Sequence, residues 1–328
     1  MRVFVTGGAG FIGSYLVRAM LADEYPYLAG AQVTVFDKLT YAGNRANLQL
    51  VADKERLRFI KGDICSADDL DAALPGHDVL FNFAAESHVD RSIAGGAGDF
   101  VTTNVLGAQQ VFAAALRHQV PLVVHASTDE VYGSIDTGSW SEDHALLPNT
   151  PYAATKAAAD LIARAYAVTY GLDVRITRSC NNYGPYHYPE KLIPLFLTNL
   201  LAGEPVPLYG HGANIRDWVY VGDHCRALAL VAEKGSPGEI YNVGAGQELT
   251  NRQLTELLLA ATGRDQSFVR EVSDPRGPGH DMRYSVDYAK IAALGYRPEV
   301  SFEDRLAMTV QWFRDNRAWW EPLQARPG

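Results

Sequence analysis

The chain has 328 residues, 47% hydrophobic and 20% charged, an ordinary globular composition with length enough for a large core and two structural lobes. A net charge of −9 and a pI of about 5.5 speak against a nucleic-acid or anionic-membrane surface, so an anionic ligand would need a local cluster of basic side chains. The three cysteines, Cys65, Cys180 and Cys225, lack Cys-x-x-Cys or metal-type spacing, and no signal peptide or membrane-length apolar run is visible. The expectation is a soluble, cytoplasmic, metal-free protein with reduced thiols.

In chain order, residues 2–6 predict a short buried strand. Gly7-Gly8-Ala9-Gly10-Phe11-Ile12-Gly13 follows, then an amphipathic helix to about Leu21. Glycines at 7, 10 and 13 let the backbone turn tightly and approach a pyrophosphate, which then meets the free N–H groups and positive dipole end of the helix. A second strand, 32–36, ends at Asp37, a little over 20 residues past the last glycine. Its carboxylate suits the adenosine ribose hydroxyls and would repel a 2′-phosphate, so NAD is favoured over NADP. Lys38 next door weakens that preference, and the plain alternative is a turn residue after a strand.

Residues 58–64 read as the third strand and its exit, with Asp63 and Ile64 set to flank an adenine ring. A short helix, 67–74, and a fourth strand, 78–83, come next. Ala84 and Ala85 are small enough to let a dinucleotide lie against the backbone. His88 is read either as a structural histidine or as a catalytic one. A helix from 104 to 118 is alanine-rich.

The apolar run 120–125, closed by Ala126 and Ser127, predicts another buried strand. Thr128, Asp129 and Glu130 then sit at its carboxyl end, where open α/β sheets bind ligands. Pro151 opens a helix that runs to about Tyr170, with Gly171 as its stop. On it Tyr152 and Lys156 are spaced i, i+4 and emerge from one face. A tyrosine near its reference pKa of about 10 is a poor base; reaching neutrality takes roughly 3 units, about 4 kcal/mol, and a nearby ammonium and a cationic nicotinamide both push that way. Alone, Tyr-x-x-x-Lys is weak evidence, and its value depends on the dinucleotide site upstream.

With residues 174–178 as a sixth strand, the alternation predicts an α/β fold, a doubly wound parallel sheet of Rossmann type. Residues 179–192 form a polar, turn-rich binding loop. A helix over 193–201 follows. The stretch 215–221 predicts a strand returning to the sheet, and a helix runs from 221 to about 233. Further helices are expected over 250–262 and 305–319, the last opened by a capping box at Ser301-Phe302-Glu303-Asp304. The predicted division is a cofactor domain of residues 1–178 plus about 215–243, and an interleaved substrate lobe of about 179–214 plus 244–328. The flat faces of helices 104–118 and 152–170 suit a homodimer or ordinary packing within the chain.

The whole chain resembles the extended short-chain dehydrogenase/reductase superfamily, and within it the dTDP-glucose 4,6-dehydratases. The likeness rests on the Gly7/Gly10/Gly13 turn, the Tyr152/Lys156 pair, and the runs 37–43, 85–92 and 127–133. It also rests on Asn181-Asn182-Tyr183-Gly184-Pro185, Glu190-Lys191-Leu192-Ile193-Pro194 and Arg216-Asp217-Trp218. The resemblance implies NAD held by Gly7, Gly10, Phe11, Ile12, Gly13, Asp37, Lys38, Leu39, Thr40, Gly43, Asp63, Ile64, Phe83, Ala84, Ala85, Ser87, Thr103, Tyr152, Lys156 and Asn181. For the substrate it implies Ser87, His88, Thr128, Asn181, Glu190, Lys191, Leu192, Pro207, Tyr209, Arg216, Asn251, Arg276, His280 and Tyr284. Of these, Lys191, Arg216, Arg276 and His280 should face the diphosphate. The family's compact Asp-Arg-Pro-Gly-His-Asp motif is stretched here to Asp274-Pro275-Arg276-Gly277-Pro278-Gly279-His280-Asp281.

The implied reaction removes water across C5 and C6 of the hexose, helped by a transient C4 ketone. Tyr152 takes the C4 hydroxyl proton, Thr128 hydrogen-bonds the same oxygen, Glu130 abstracts the C5 proton and Asp129 protonates the departing C6 hydroxyl. Asp129 therefore has to carry a proton at working pH. The competing readings are an epimerase or dehydratase acting on another nucleotide sugar, and a catalytically silent NAD-binding regulator.

Overall fold

The computed structural model describes residues 1–324. Its strands are β1 (Arg2–Thr6), β2 (Gln32–Asp37), β3 (Leu57–Lys61), β4 (Val79–Asn82), β5 (Leu122–Thr128) and β6 (Val174–Ser179). After these come β7 (Asn181–Tyr183), β8 (Val206–Tyr209), β9 (Ile215–Tyr220), β10 (Ile240–Val243), β11 (Glu248–Thr250) and β12 (Val269–Val272). Seven of them form one sheet in the order β10-β6-β5-β4-β1-β2-β3, every pair parallel. The doubly wound architecture predicted from the alternation is thus present.

Side chains alternate across this sheet, and both faces are covered, which is why its central strands read as unbroken apolar runs. Val3 and Val5 join one core with Leu16, Val17, Met20, Leu228 and Val231 of the helices Phe11–Leu21 and Val221–Lys234. Phe4, between them, joins the opposite core with Leu70, Phe112, Ala159 and Ala163. Polar side chains are also buried inside, and some of them pair across strands. Asn82, on β4, accepts from the Thr6 hydroxyl at 2.6 Å and meets His125 Nδ1 at 3.0 Å.

The helix Pro151–Tyr170 starts and stops for local reasons. Thr150 caps it, accepting the Ala153 N–H at 3.1 Å, Pro151 occupies its first turn, and Gly171 ends it in a left-handed conformation at φ 71°.

Several sequence expectations need correction. The strand at 215–220 does not return to the main sheet. It lies between β11 and β7 in a separate three-stranded sheet, and β10 fills the seventh place beside β6 instead. A buried strand period cannot reveal its partner. The helix expected from 104 begins at Ala97 and passes through a π-helical stretch, Val101–Gly107, before Ala108–Arg117. The last helix is two, Phe302–Asp315 and Arg317–Gln324. The capping box at its start is half-made: Ser301 Oγ accepts the Asp304 N–H, but the Asp304 carboxylate takes the Ser301 hydroxyl rather than its backbone N–H. A complete one forms at Thr250 and Gln253. Residues 325–328 of the predicted substrate lobe lie outside the described residues.

Candidate active site

A cleft of about 680 Å³ opens at the carboxyl ends of β1, β2, β4, β5 and β6 and is walled on the far side by the smaller sheets. Every site residue put forward from the sequence lines it except Leu39. Leu39 turns into the apolar core at φ 58° and contributes its N–H, which the Asp37 Oδ1 accepts at 2.7 Å. The sequence motif gave its position but not the direction of its side chain.

At one end lies the glycine turn. Gly7 has φ 64°, and a Cβ there would fall 2.7 Å from the Ala84 nitrogen; one on Gly13 would fall 2.5 Å from the Gly7 carbonyl oxygen. Neither site admits a side chain, so the turn can bring bare backbone to a phosphate. Asp37 braces it, accepting the Ala9 N–H at 2.9 Å through Oδ2. Each Asp37 oxygen keeps a second lone pair for a ribose hydroxyl. Lys38 is drawn into an ion pair with Asp63 at 2.7 Å. Farther along, the side chains of Trp218, His224 and Asn251 line the cleft with buried Nε1, Nε2 and Oδ1 atoms that have no hydrogen-bond partner among the described residues. A ligand with matching polar groups would satisfy them. The residues present therefore fit NAD.

In the middle, β5 ends at Thr128 and the chain turns through Asp129–Tyr132 to Gly133 at φ 81°. Thr128 caps that turn: its Oγ1 accepts the Glu130 N–H at 3.3 Å and stands 3.3 Å from Asp129 Oδ1. Asp129 and Glu130 both face the cleft. Burial, aided by the Glu130 carboxylate, pushes Asp129 up to about 7, and burial raises Glu130 as well. Across from them, Tyr152 and Lys156 emerge from the first two turns of their helix. Burial and the Glu130 carboxylate push the Tyr152 phenol up, against the Thr128 hydrogen bond that favours its ionised form. The expected phenolate near neutrality is thus not set by the protein alone. Burial lowers Lys156 to about 8, and its Nζ is engaged by the Ala126 carbonyl at 2.7 Å.

At the other end is a group of cations. Arg216 stacks its guanidinium 4.2 Å from the centre of the Tyr284 ring and donates to the Asp281 carbonyl at 2.8 Å. Arg276, in the stretched loop, points into the same cleft and donates through Nε to Asp90 Oδ1 at 2.5 Å, while Tyr209 donates to Asp90 Oδ2 at 3.1 Å. His280 Nδ1 meets Asp274 Oδ2 at 2.5 Å. Lys191 donates to the Ser87 carbonyl. His88 is held by the Glu190 carbonyl at 3.3 Å and is lowered to about 4 by burial and the Lys191 charge, so it is neutral.

The chain matches the family model described as GDP-mannose 4,6 dehydratase over residues 4–309. It is 56% identical to a dTDP-glucose 4,6-dehydratase of Streptomyces niveus over 326 residues, covering 99% of this chain and 96% of that one. The chain belongs to the dTDP-glucose 4,6-dehydratase family. Among solved structures of that family it is similar to DesIV of Streptomyces venezuelae, which holds NAD and a second ligand, at TM-score 0.96 and 61% identity, covering 98% of this chain and 100% of that one. A dTDP-glucose 4,6-dehydratase of Bacillus anthracis in complex with NAD follows at TM-score 0.90 and 42% identity, covering 98% and 99%.

The sequence reading missed residues of this cleft in two ways. Asp90 stood in a quoted motif beside His88, and its pairing with Arg276 crosses 186 positions that no local pattern links. His187 lay in the loop correctly read as binding, but its stacking on Phe11, with ring centres 4.1 Å apart, depends on tertiary approach.

Proposed function

We propose that the protein is an NAD-dependent hydro-lyase that converts dTDP-glucose to dTDP-4-keto-6-deoxyglucose. One observation carries the reading: two carboxyl groups, Asp129 and Glu130, share a cleft with Tyr152 and Lys156, and one of them is poised to hold a proton near neutral pH. An epimerase moves only the C4 hydrogen and has no use for an extra acid and base.

Bound NAD would supply the hydride acceptor for C4, the donor to C6, and a positive charge favouring the Tyr152 phenolate. The glycine turn, Asp37 and the Ala84–Ala85 backbone would hold it. Tyr152 accepts the C4 hydroxyl proton, with Thr128 bonding the same oxygen. The resulting C4 ketone acidifies C5, and Glu130, raised by its burial, is a base of matched strength for that hydrogen. As the C6–O bond breaks, Asp129 gives its proton to the departing hydroxyl, which leaves as water. Glu130 then returns its proton to C5. Arg216, Arg276, Lys191 and His280 suit the diphosphate, and Asn181 and Asn251 assist. The division of labour assigns residues 1–178 and 221–243 to the cofactor and most of the remainder to the nucleotide sugar.

The test is NMR of dTDP-glucose incubated with the protein and no added cofactor. Appearance of a 4-keto-6-deoxy product supports the reading. A C4 epimer, or no change on any nucleotide sugar in a panel, would sink it.

A homodimer completes the proposal. Leu161 and Val168 stand one heptad apart on the helix Pro151–Tyr170 and are 59% and 71% exposed, with Val101 and Leu106 exposed on the neighbouring helical segment. A second copy can bury this stripe against itself. Leu161→Asp with Val168→Asp is expected to give monomers in light scattering where the parent protein gives dimers.

A further inference from the structure

Three consecutive residues of the binding loop lie against the elements that build the cofactor end of the cleft. Tyr186 takes the Arg18 guanidinium 4.1 Å from its ring centre. His187 stacks on Phe11, with ring centres 4.1 Å apart and planes 6° from parallel, and Tyr188 stands edge-on to Tyr41 at 5.6 Å. Phe11 and Arg18 belong to the helix that leaves the glycine turn, and Tyr41 to the loop after Asp37. Two residues farther on, Glu190 accepts the Tyr41 hydroxyl at 2.9 Å. The loop is held to this course from behind. Tyr186 has φ 65°, a left-handed conformation uncommon for an aromatic residue, which its surroundings have to impose. Trp312 and Trp319 enclose it, their ring centres 4.5 and 5.5 Å from its own.

Packing accounts for Tyr186 but leaves part of His187 unexplained. The His187 ring lines the cleft together with Gly10, Phe11, Ile12 and Gly13, and its Nδ1 is buried with no hydrogen-bond partner among the described residues. A buried nitrogen without a partner costs free energy that a phenyl ring in the same place would not. Burial, with the Lys191 charge, lowers the imidazole to about 3, so it is neutral and carries one N–H. A half-turn about its Cβ–Cγ bond keeps the stack and brings either edge of the ring to the cleft. The ring beneath it belongs to the first residue of the helix Phe11–Leu21, which no side chain caps. The free N–H groups and positive dipole end of that helix are where a pyrophosphate sits.

We propose that His187 is a cofactor-binding residue that donates a hydrogen bond to the pyrophosphate of NAD from the substrate loop. The dinucleotide then ties the glycine turn to that loop, which brings Glu190 and Lys191 to the cleft before any sugar arrives. The assignment concerns the hold on the cofactor and needs nothing of the dehydration scheme.

The experiment reads dissociation constants of NADH, ADP-ribose and adenosine for the full chain and its variants, from the fluorescence of bound NADH and its displacement. His187→Phe keeps the stack and removes both nitrogens. It should weaken NADH and ADP-ribose by about ten- to a hundredfold, the worth of one hydrogen bond to a charged group, and leave adenosine, which has no phosphate, unchanged. His187→Asn and His187→Gln set an amide near where Nδ1 and Nε2 stand, and at least one of them should keep most of the affinity. A histidine present for packing alone gives the reverse order, with His187→Phe harmless and both amides loosened. That order overturns the proposal. So does an equal loss of affinity in all three variants, or a loss of adenosine in His187→Phe as large as that of NADH.

Discussion

Glu130→Gln is expected to abolish both water loss and hydrogen exchange at C5, while Asp129→Asn should lose water loss and keep the exchange. The difference follows from order. The C4 ketone makes the C5 hydrogen acidic, and only a base is needed to remove it and put it back; the C6 hydroxyl leaves only if an acid meets it. In D₂O, Asp129→Asn should therefore return dTDP-glucose labelled at C5, and Glu130→Gln should return it unlabelled. Each loss of product formation should be of the order of 10²–10⁴-fold, the usual worth of one positioned acid or base. Full dehydration by both variants would remove the basis of the proposed chemistry. Folding is not the confounder. Asp129 is raised in the folded protein from 3.8 to about 7, so its ionisation opposes folding. The stability it allows is fully present at low pH and is lost as pH rises between those two values. A neutral amide at 129 escapes that penalty, so above neutrality the variant should be at least as stable as the parent, with a gain of up to about 4 kcal/mol and a higher Tm.

The sheet domain was largely legible because its strands are buried on both faces and its helices carry their own punctuation. Thr150, Pro151 and Gly171 bound a helix by short-range chemistry, and the structure uses all three. The place of the strand at 215–220 was not legible. Its residues are buried, Arg216 and Asp217 included, and burial alone does not say which sheet a strand joins. The π-helical stretch at Val101–Gly107 was hidden for a similar reason. There Asn104 accepts the Glu86 N–H at 2.8 Å and donates to the Glu86 carbonyl and the Thr155 hydroxyl, each at 3.0 Å, bonds to residues distant in the chain. At the site, glycine spacing and the Tyr152/Lys156 interval announced positions but not charge states. That the phenol is pushed up rather than down comes from desolvation in the cleft and from a carboxylate on another loop.

Tyr152→Phe should lower kcat by about 10³-fold or more with little change in KM, because the phenol acts on the C4 hydroxyl as it loses its proton and contributes little to holding the nucleotide. The protein by itself raises the cost of the phenolate through burial and the Glu130 charge, and the Thr128 hydroxyl offsets only part of it. Lys156 cannot be relied on for the whole of the remainder, since its ammonium is lowered to about 8 and is engaged by the Ala126 carbonyl. Thr128→Val should therefore also weaken the step, by roughly tenfold, the worth of one hydrogen bond to a charged group. The discriminating measurement is exchange at C5 of the 4-keto-6-deoxy product, supplied ready-made in D₂O. That product already has its ketone, so Tyr152→Phe should exchange it at close to the parent rate through Glu130. Glu130→Gln should not exchange it at all. If Tyr152→Phe instead turns over dTDP-glucose normally, the phenol is not the base, and the proton of the C4 hydroxyl must leave by another group in the cleft.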